Sequence, residues 1–135
     1  MLLSALVGLG WPDGWEIPAY AVGALLIALG TGLLVAGAVA LGPSLTPFPA
    51  PRGTEELTTE GVYGRARHPM YGGGLLIALG WSTIFASVAG LVLTVVIALF
   101  LELKSRREEH WLDEHYPGYA EYRRRVRRRF VPFVY

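Results

Sequence analysis

The sequence predicts an all-α integral membrane protein: one full transmembrane helix, a transmembrane helical hairpin, a short N-terminal apolar helix and a cytosolic amphipathic C-terminal helical tail. Three observations carry that prediction. Apolar residues make up 53% of the 135-residue chain and charged ones 17%, where a soluble domain carries about 25% charge. Residues 17–41 contain no Asp, Glu, Lys, Arg or His, and a water-soluble domain of this length has no interior large enough to hide such a run. Nine of the twelve Lys and Arg lie at or after Lys104, so the charge is gathered in segments instead of being spread over a surface.

The same arithmetic removes several classes of function. A net charge of +1, with the basic residues local, gives no general case for nucleic acid. The chain has no Cys, which excludes a disulfide framework, a thiolate nucleophile, an iron–sulfur cluster and Cys-ligated zinc. The three His share no metal-site spacing, so no metal is expected. The N-terminus is apolar but lacks a basic n-region and a small-residue cleavage site, and is not read as a cleaved signal peptide.

The expected single domain divides into five parts. Residues 1–10 are apolar but too short to span, since spanning takes about 20 helical residues; they read as a short helix. Trp11-Pro12-Asp13-Gly14 is turn chemistry. Residues 15–41 read as the full transmembrane helix, with Trp15 at the interface and Pro18 in the first turn. Gly23, Gly30 and Gly37 recur every seven residues on one side. Small residues so placed let another helix approach closely, within the chain or in a homodimer through the Gly23/Gly30/Gly37 face.

Residues 42–68 form a loop. Pro43, Pro47, Pro49 and Pro51 cannot sit in a regular helix, so the chain crosses the membrane surface in an extended form there. The second apolar block, residues 71–103, is too long for one plain span. Trp81-Ser82-Thr83, Ser87 and Gly90 interrupt it, which predicts a hairpin over 69–104 of two helices, each about 15 residues and roughly 22 Å long. Gly72, Gly73 and Gly74 open the first of them. Each costs about 1 kcal/mol against Ala in a helix, so something must come very near the backbone. Residues 105–135 read as the tail: Tyr116, Tyr119, Tyr122, Val126 and Phe130 fall at helix spacing with arginines between them, an interfacial helix that selects anionic lipid over nucleic acid.

Charge also sets the expected topology. The turn before residue 17 carries Asp13 and Glu16 and no base, whereas the loop and the tail hold Arg52, Arg65, Arg67 and all the later Lys and Arg. The positive-inside rule puts loop and tail together on the cytoplasmic side. Two candidate chemical blocks then share one surface. In the first, Pro69 disfavours the α conformation at His68 and opens a helix, leaving Arg67 and His68 on the shoulder of a helix N-terminus that attracts anions. Arg67 adds a fork for carboxylate or phosphate; a lipid-phosphate anchor and a helix-capping histidine fit these two residues as well. The second block is Glu108-Glu109 on the helix returning from the hairpin. Salt bridges of Glu108 to Lys104 and of Glu102 to Arg106 at i,i+4 would also account for acids there.

The ordered motifs Leu-Gly-Pro and Leu-Thr-Pro (residues 41–47), Leu57-Thr58-Thr59-Glu60-Gly61-Val62-Tyr63, Arg67-His68-Pro69-Met70-Tyr71, Glu108-Glu109 and a Tyr-rich tail ending Arg-Val-Arg-Arg-Arg-Phe-Val-Pro resemble the isoprenylcysteine carboxyl methyltransferase family and its phospholipid N-methyltransferase relatives. The resemblance implies S-adenosylmethionine as cofactor, held by Arg67, His68, Pro69, Tyr71 and Gly72, by Glu108 and Glu109, and by Tyr119, Tyr122 and Arg125, the last expected to point inward. It implies a catalytic trio of His68, Arg67 and Glu108, a lipophilic acceptor entering from the bilayer, and an integral membrane protein of a bacterial inner membrane with its active site cytoplasmic. An NADPH-dependent membrane reductase of the sterol-reductase type and a non-catalytic membrane adaptor are the alternatives.

Overall fold

A computed structural model describes residues 10–42 and 57–135. The expected N-terminal helix (residues 1–10, all but the last) and most of the Pro-punctuated loop therefore lie outside the described residues. The described residues hold four α-helices and no strand: α1 (Glu16–Leu41), then a 3-10 turn (Gly61–Gly64), α2 (Pro69–Ile84), α3 (Val88–His115) and α4 (Tyr119–Arg125).

Two of these helices, α1 and α3, are long and apolar enough to cross a membrane. Both turn large apolar side chains outward, among them Leu25, Leu29, Val35, Val92, Leu99 and Phe100. Such a surface is stable against lipid tails and not against water. Between them lies α2, whose 16 residues reach only about 24 Å. Pro69 is its first residue and His68 is held out of the helix at φ −129, ψ 60, as proline chemistry requires.

The glycines explain how α1 and α2 meet. A Cβ on Gly30 would stand 2.6 Å from the Gly73 carbonyl oxygen, one on Gly73 would stand 2.6 Å from the Gly30 carbonyl, and Gly23 and Gly80 are paired in the same way. Gly37 closes on the Met70 side chain. The order of these pairs makes the helices antiparallel, in backbone contact over the whole of α2. Without a hydrophobic driving force in lipid, such close approach is what holds helices together. The expected homodimer through Gly23, Gly30 and Gly37 is corrected here: all three are buried against α2 of the same chain, which leaves that face nothing to offer a second copy.

The hairpin forms, with two corrections. Its turn, Phe85 to Ser87, falls inside the interrupted stretch from Trp81 to Gly90, at the Ser87 end and not at Trp81-Ser82-Thr83. Those residues stay helical because the Ser82 and Thr83 hydroxyls bond back to the carbonyls of Ala78 and Leu79, both at 2.8 Å, so they need no other partner in an apolar setting. Ser87 caps α3 by accepting the Gly90 amide at 3.0 Å. The second arm is also not a 15-residue helix ending near residue 104. It runs unbroken for 28 residues, about 42 Å, because the change from apolar to charged residues at Lys104 alters the solvent a helix prefers and not its backbone.

The tail departs furthest from expectation. Helix α4 stops after seven residues, and residues 126–135 form a non-helical strap that returns over the start of α2. The Arg67 amide donates to the Arg128 carbonyl at 3.0 Å and the His68 amide to the Arg129 carbonyl at 2.6 Å. The Phe130 and Val131 amides donate to the Tyr135 carbonyl at 2.7 and 2.9 Å instead of to the carbonyls four residues back, so the predicted amphipathic helix does not continue to Phe130.

Candidate functional site at the membrane border

The two sequence blocks meet. Arg67 donates from Nε to Glu109 Oε1 at 2.7 Å and from Nη2 to Oε2 at 3.4 Å, in a pair whose side chains are 7% and 5% exposed. Its Nη1 donates to the carbonyls of Val126 and Arg127 at 2.7 and 3.0 Å. The guanidinium therefore joins α2, α3 and the strap, with each terminal nitrogen engaged. The shoulder amides of residues 67 and 68 are likewise taken by strap carbonyls, so strap backbone occupies the place where a free anion pocket was expected.

His68 lies between the two acids. Its Nε2 is 3.1 Å from Glu109 Oε1 and its Nδ1 is 3.7 Å from Glu108 Oε2. Glu109 lies on the polar end of α3, beyond the apolar stretch. Burial pushes its carboxyl up, but hydrogen bonds from His68 and Arg67 outweigh that and hold it down at about 2. An ionised carboxylate only accepts, so Nε2 carries a proton and Nδ1 is the ring nitrogen left without a true hydrogen bond. Glu108 accepts from the Tyr71 hydroxyl at 2.8 Å and is 3.6 Å from Lys104; the expected Glu102–Arg106 pair is also present, at 2.8 Å. The Tyr71 and His68 rings stack at 5.4 Å with 2° between their planes, and Phe130 meets both edge-on.

The glycine triplet separates by direction. Gly72 lies under the strap, where a Cβ would collide with the Phe130 carbonyl; Gly73 faces α1; Gly74 has nothing within 4 Å. Pro69 is buried at the N-terminus of α2. Tyr119 and Tyr122 are buried with Val126 against Leu57, Leu112 and Tyr116, and the Tyr122 hydroxyl donates to the Tyr63 carbonyl at 2.7 Å. They are core residues under the strap, not an open stacking surface.

Arg125 does not point inward: it is exposed, because α4 ends there and the chain turns away. The arginine that enters the site is one that sequence reasoning missed. Arg129 pairs through Nη1 with Glu102 and places Nη2 3.4 Å from Glu109 Oε2. It thus spans two carboxylates seven residues apart on α3, while its own carbonyl holds His68. Among the described residues, two buried polar atoms in this neighbourhood have no hydrogen-bond partner, the Tyr119 hydroxyl and Arg129 Nε. Among the described residues no group of three or more His, Asp or Glu is arranged to hold a metal ion.

The family model described as phospholipid methyltransferase matches residues 18–118. Protein-S-isoprenylcysteine O-methyltransferase B of Arabidopsis thaliana is 34% identical over 129 residues, covering 93% of this chain and 64% of that protein. Delta(14)-sterol reductase TM7SF2 of Mus musculus is 34% identical over 83 residues, covering 59% of this chain and 20% of its own length. Cobalt-zinc-cadmium resistance protein CzcN of Cupriavidus metallidurans is 34% identical over 118 residues, 86% of this chain and 51% of that protein. The chain thus spans less than two thirds of the length of each.

Proposed function

Because this chain belongs to the phospholipid methyltransferase family, we propose that it is an S-adenosylmethionine-dependent membrane methyltransferase. It moves a methyl group to a lipophilic small-molecule or lipid-linked acceptor at the cytosolic face of the membrane, in a bacterial inner membrane. The observation that carries this reading is the cluster in which Arg67 and His68 meet Glu108 and Glu109 under the strap. The residues present fit the cofactor. The unpartnered Tyr119 hydroxyl and Arg129 Nε are donors of the kind its carboxylate takes, and Glu108 is an acceptor for its ammonium or ribose hydroxyls. Gly74 leaves open surface one helical position beyond the covered glycines.

When bound, the cofactor supplies a sulfonium methyl whose transfer is an in-line displacement, so positioning contributes most of the rate. Arg67 and Glu109 act on this account as the frame of the site, since each is saturated by the other, by His68 and by the strap. Glu109 fixes the His68 tautomer with Nδ1 free to accept a proton. An amine or thiol acceptor needs that base, with Glu108 beside it as the other candidate, whereas a carboxylate acceptor arrives ionised and does not. Pro69, Tyr71 and Gly72 set the shape of the wall. Arg125, on the outer surface, is a contact only for a ligand that reaches past the strap.

The test is to incubate purified protein with methyl-labelled cofactor and a lipid extract and follow the label. Label in a lipid fraction that disappears with Glu108→Gln supports the proposal; no transfer to any fraction by folded protein refutes it. The similarity to a sterol reductase keeps one second reading, a membrane reductase using NADPH. Enhanced fluorescence of NADPH on mixing, with no response to S-adenosylhomocysteine, would select it.

A further inference from the structure

The end of the strap has features that neither the frame of the site nor methyl transfer uses. Val134 and Tyr135 amides both turn back to the Val131 carbonyl, at 3.2 and 3.1 Å, and this tight turn pushes Phe133 and Val134 outward, 79% and 71% exposed. Phe133 adopts φ +66, a left-handed conformation unfavourable for a bulky side chain. In water that arrangement gains nothing. Its position gives it a purpose: the Tyr135 hydroxyl reaches Glu102 at 3.4 Å, one residue before the exposed Leu103 that ends the apolar band of α3. Tyr135 thus ties the end of the strap to α3 at the level where apolar residues give way to charged ones, with the exposed Phe133 and Val134 just before it in the chain.

Arginines surround the tip. The Arg65 guanidinium lies over the Phe133 ring at 6.0 Å, and Arg128 reaches the Val134 carbonyl at 3.5 Å. Both are exposed, and neither is in a salt bridge among the described residues. An apolar wedge rimmed by unpaired guanidinium groups complements one surface, acidic phospholipid headgroups above acyl chains. We infer that the Phe133–Val134 turn docks into an anionic membrane surface, and that this docking holds the strap closed over Arg67 and His68. The inference stands on the strap's geometry and does not depend on which ligand the site binds.

The absence of cysteine makes site-specific labelling clean. Full-length Val134→Cys and, as a control on the exposed face of α4, Ala120→Cys are labelled with an environment-sensitive fluorophore. Each is placed in nanodiscs of phosphatidylcholine alone or of an equal mixture with phosphatidylglycerol, with a nitroxide-labelled lipid as quencher. Quenching at position 134 and not at 120 is expected, stronger in the anionic discs. Replacing Arg65 and Arg128 together by Gln should lower the docked-to-undocked ratio roughly five-fold per arginine while leaving the main-chain bonds of Arg128 in place. Equal quenching at 134 in both lipids overturns the anionic selectivity. No quenching at 134 in either lipid, with intrinsic tryptophan fluorescence unchanged, overturns the docking itself.

Discussion

Three adjacent glycines should respond to the same substitution in three different ways. In Gly73→Ala the new Cβ would lie 2.6 Å from the Gly30 carbonyl oxygen and 2.9 Å from the Leu34 amide nitrogen. Ordinary carbon–oxygen contact is about 3.3 Å, so the helices must part by roughly 0.7 Å. Both obstacles are backbone atoms of α1 and cannot rotate away. Overpacking of this kind costs about 1–3 kcal/mol, offset by the ~1 kcal/mol that Ala gains over Gly in a helix. A net loss of about 0–2 kcal/mol is expected. Gly74→Ala meets nothing within 4 Å and should keep the helix gain, up to about 1 kcal/mol of added stability. The assay is unfolding by sodium dodecyl sulfate in mixed micelles, followed by circular dichroism. If Gly73→Ala proved as stable as Gly74→Ala, the antiparallel glycine contact between α1 and α2 would be wrong. Gly72→Ala tests a different contact, since its Cβ would strike the Phe130 carbonyl. It should raise hydrogen exchange at the amides of Arg67 and His68 without separating α1 from α2.

Further expectations follow from the charge cluster. Glu109→Gln leaves the Arg67 guanidinium, 7% exposed, without its counter-charge and should cost about 3–5 kcal/mol, read as a lower denaturation midpoint. Arg129→Gln removes the link between Glu102 and Glu109 and should cost about 1–2 kcal/mol, with hydrogen exchange rising in residues 126–135 before any helix is affected. Arg125→Gln, at an exposed position, should change neither reading. The pH dependence comes from buried tyrosines outside the membrane. Burial pushes the Tyr63 hydroxyl up to about 12, and burial first, then the charge of Glu109, raises Tyr119; Tyr122 is also raised, by burial. Above pH about 10 the unfolded chain loses these protons and the folded one keeps them, so stability is intact below that value and falls as pH rises through the folded values. Tyr63→Phe should flatten the slope of the unfolding midpoint between pH 10 and 12; an unchanged slope would contradict the burial.

The parts of this molecule that sequence made visible are those with a local physical cause. An uncharged run must be α1, a proline must open α2, and glycines must mark close approach. Hydrophobic pattern, charge and turn chemistry all report on a residue's immediate surroundings. The convergence of Arg67 and His68 on Glu108 and Glu109 was legible through topology, because two basic segments joined by a transmembrane hairpin are expected to share a surface. The strap was not legible. Tyr119, Tyr122, Val126 and Phe130 keep helical spacing across a segment whose carbonyls are taken by Arg67 and by the amides of residues 67 and 68, and tertiary capture of that kind has no local signature. Val126, Val131, Pro132 and Val134 weigh against helix and were the available signal. Reading the tail as helix turned Arg125 inward; the extended chain brings in Arg129 four residues later. The Arg67 fork expected to grip a ligand's carboxylate or phosphate grips Glu109 of its own chain.

The central claim is that these blocks make one ligand site. It is tested most directly by isothermal titration of the detergent-solubilised protein with S-adenosylhomocysteine. A saturable heat with one site per chain, strongly reduced by Glu108→Gln and by His68→Ala but kept by Arg125→Gln, is the predicted result. No heat at millimolar ligand from protein whose circular dichroism is that of the folded helices would contradict it.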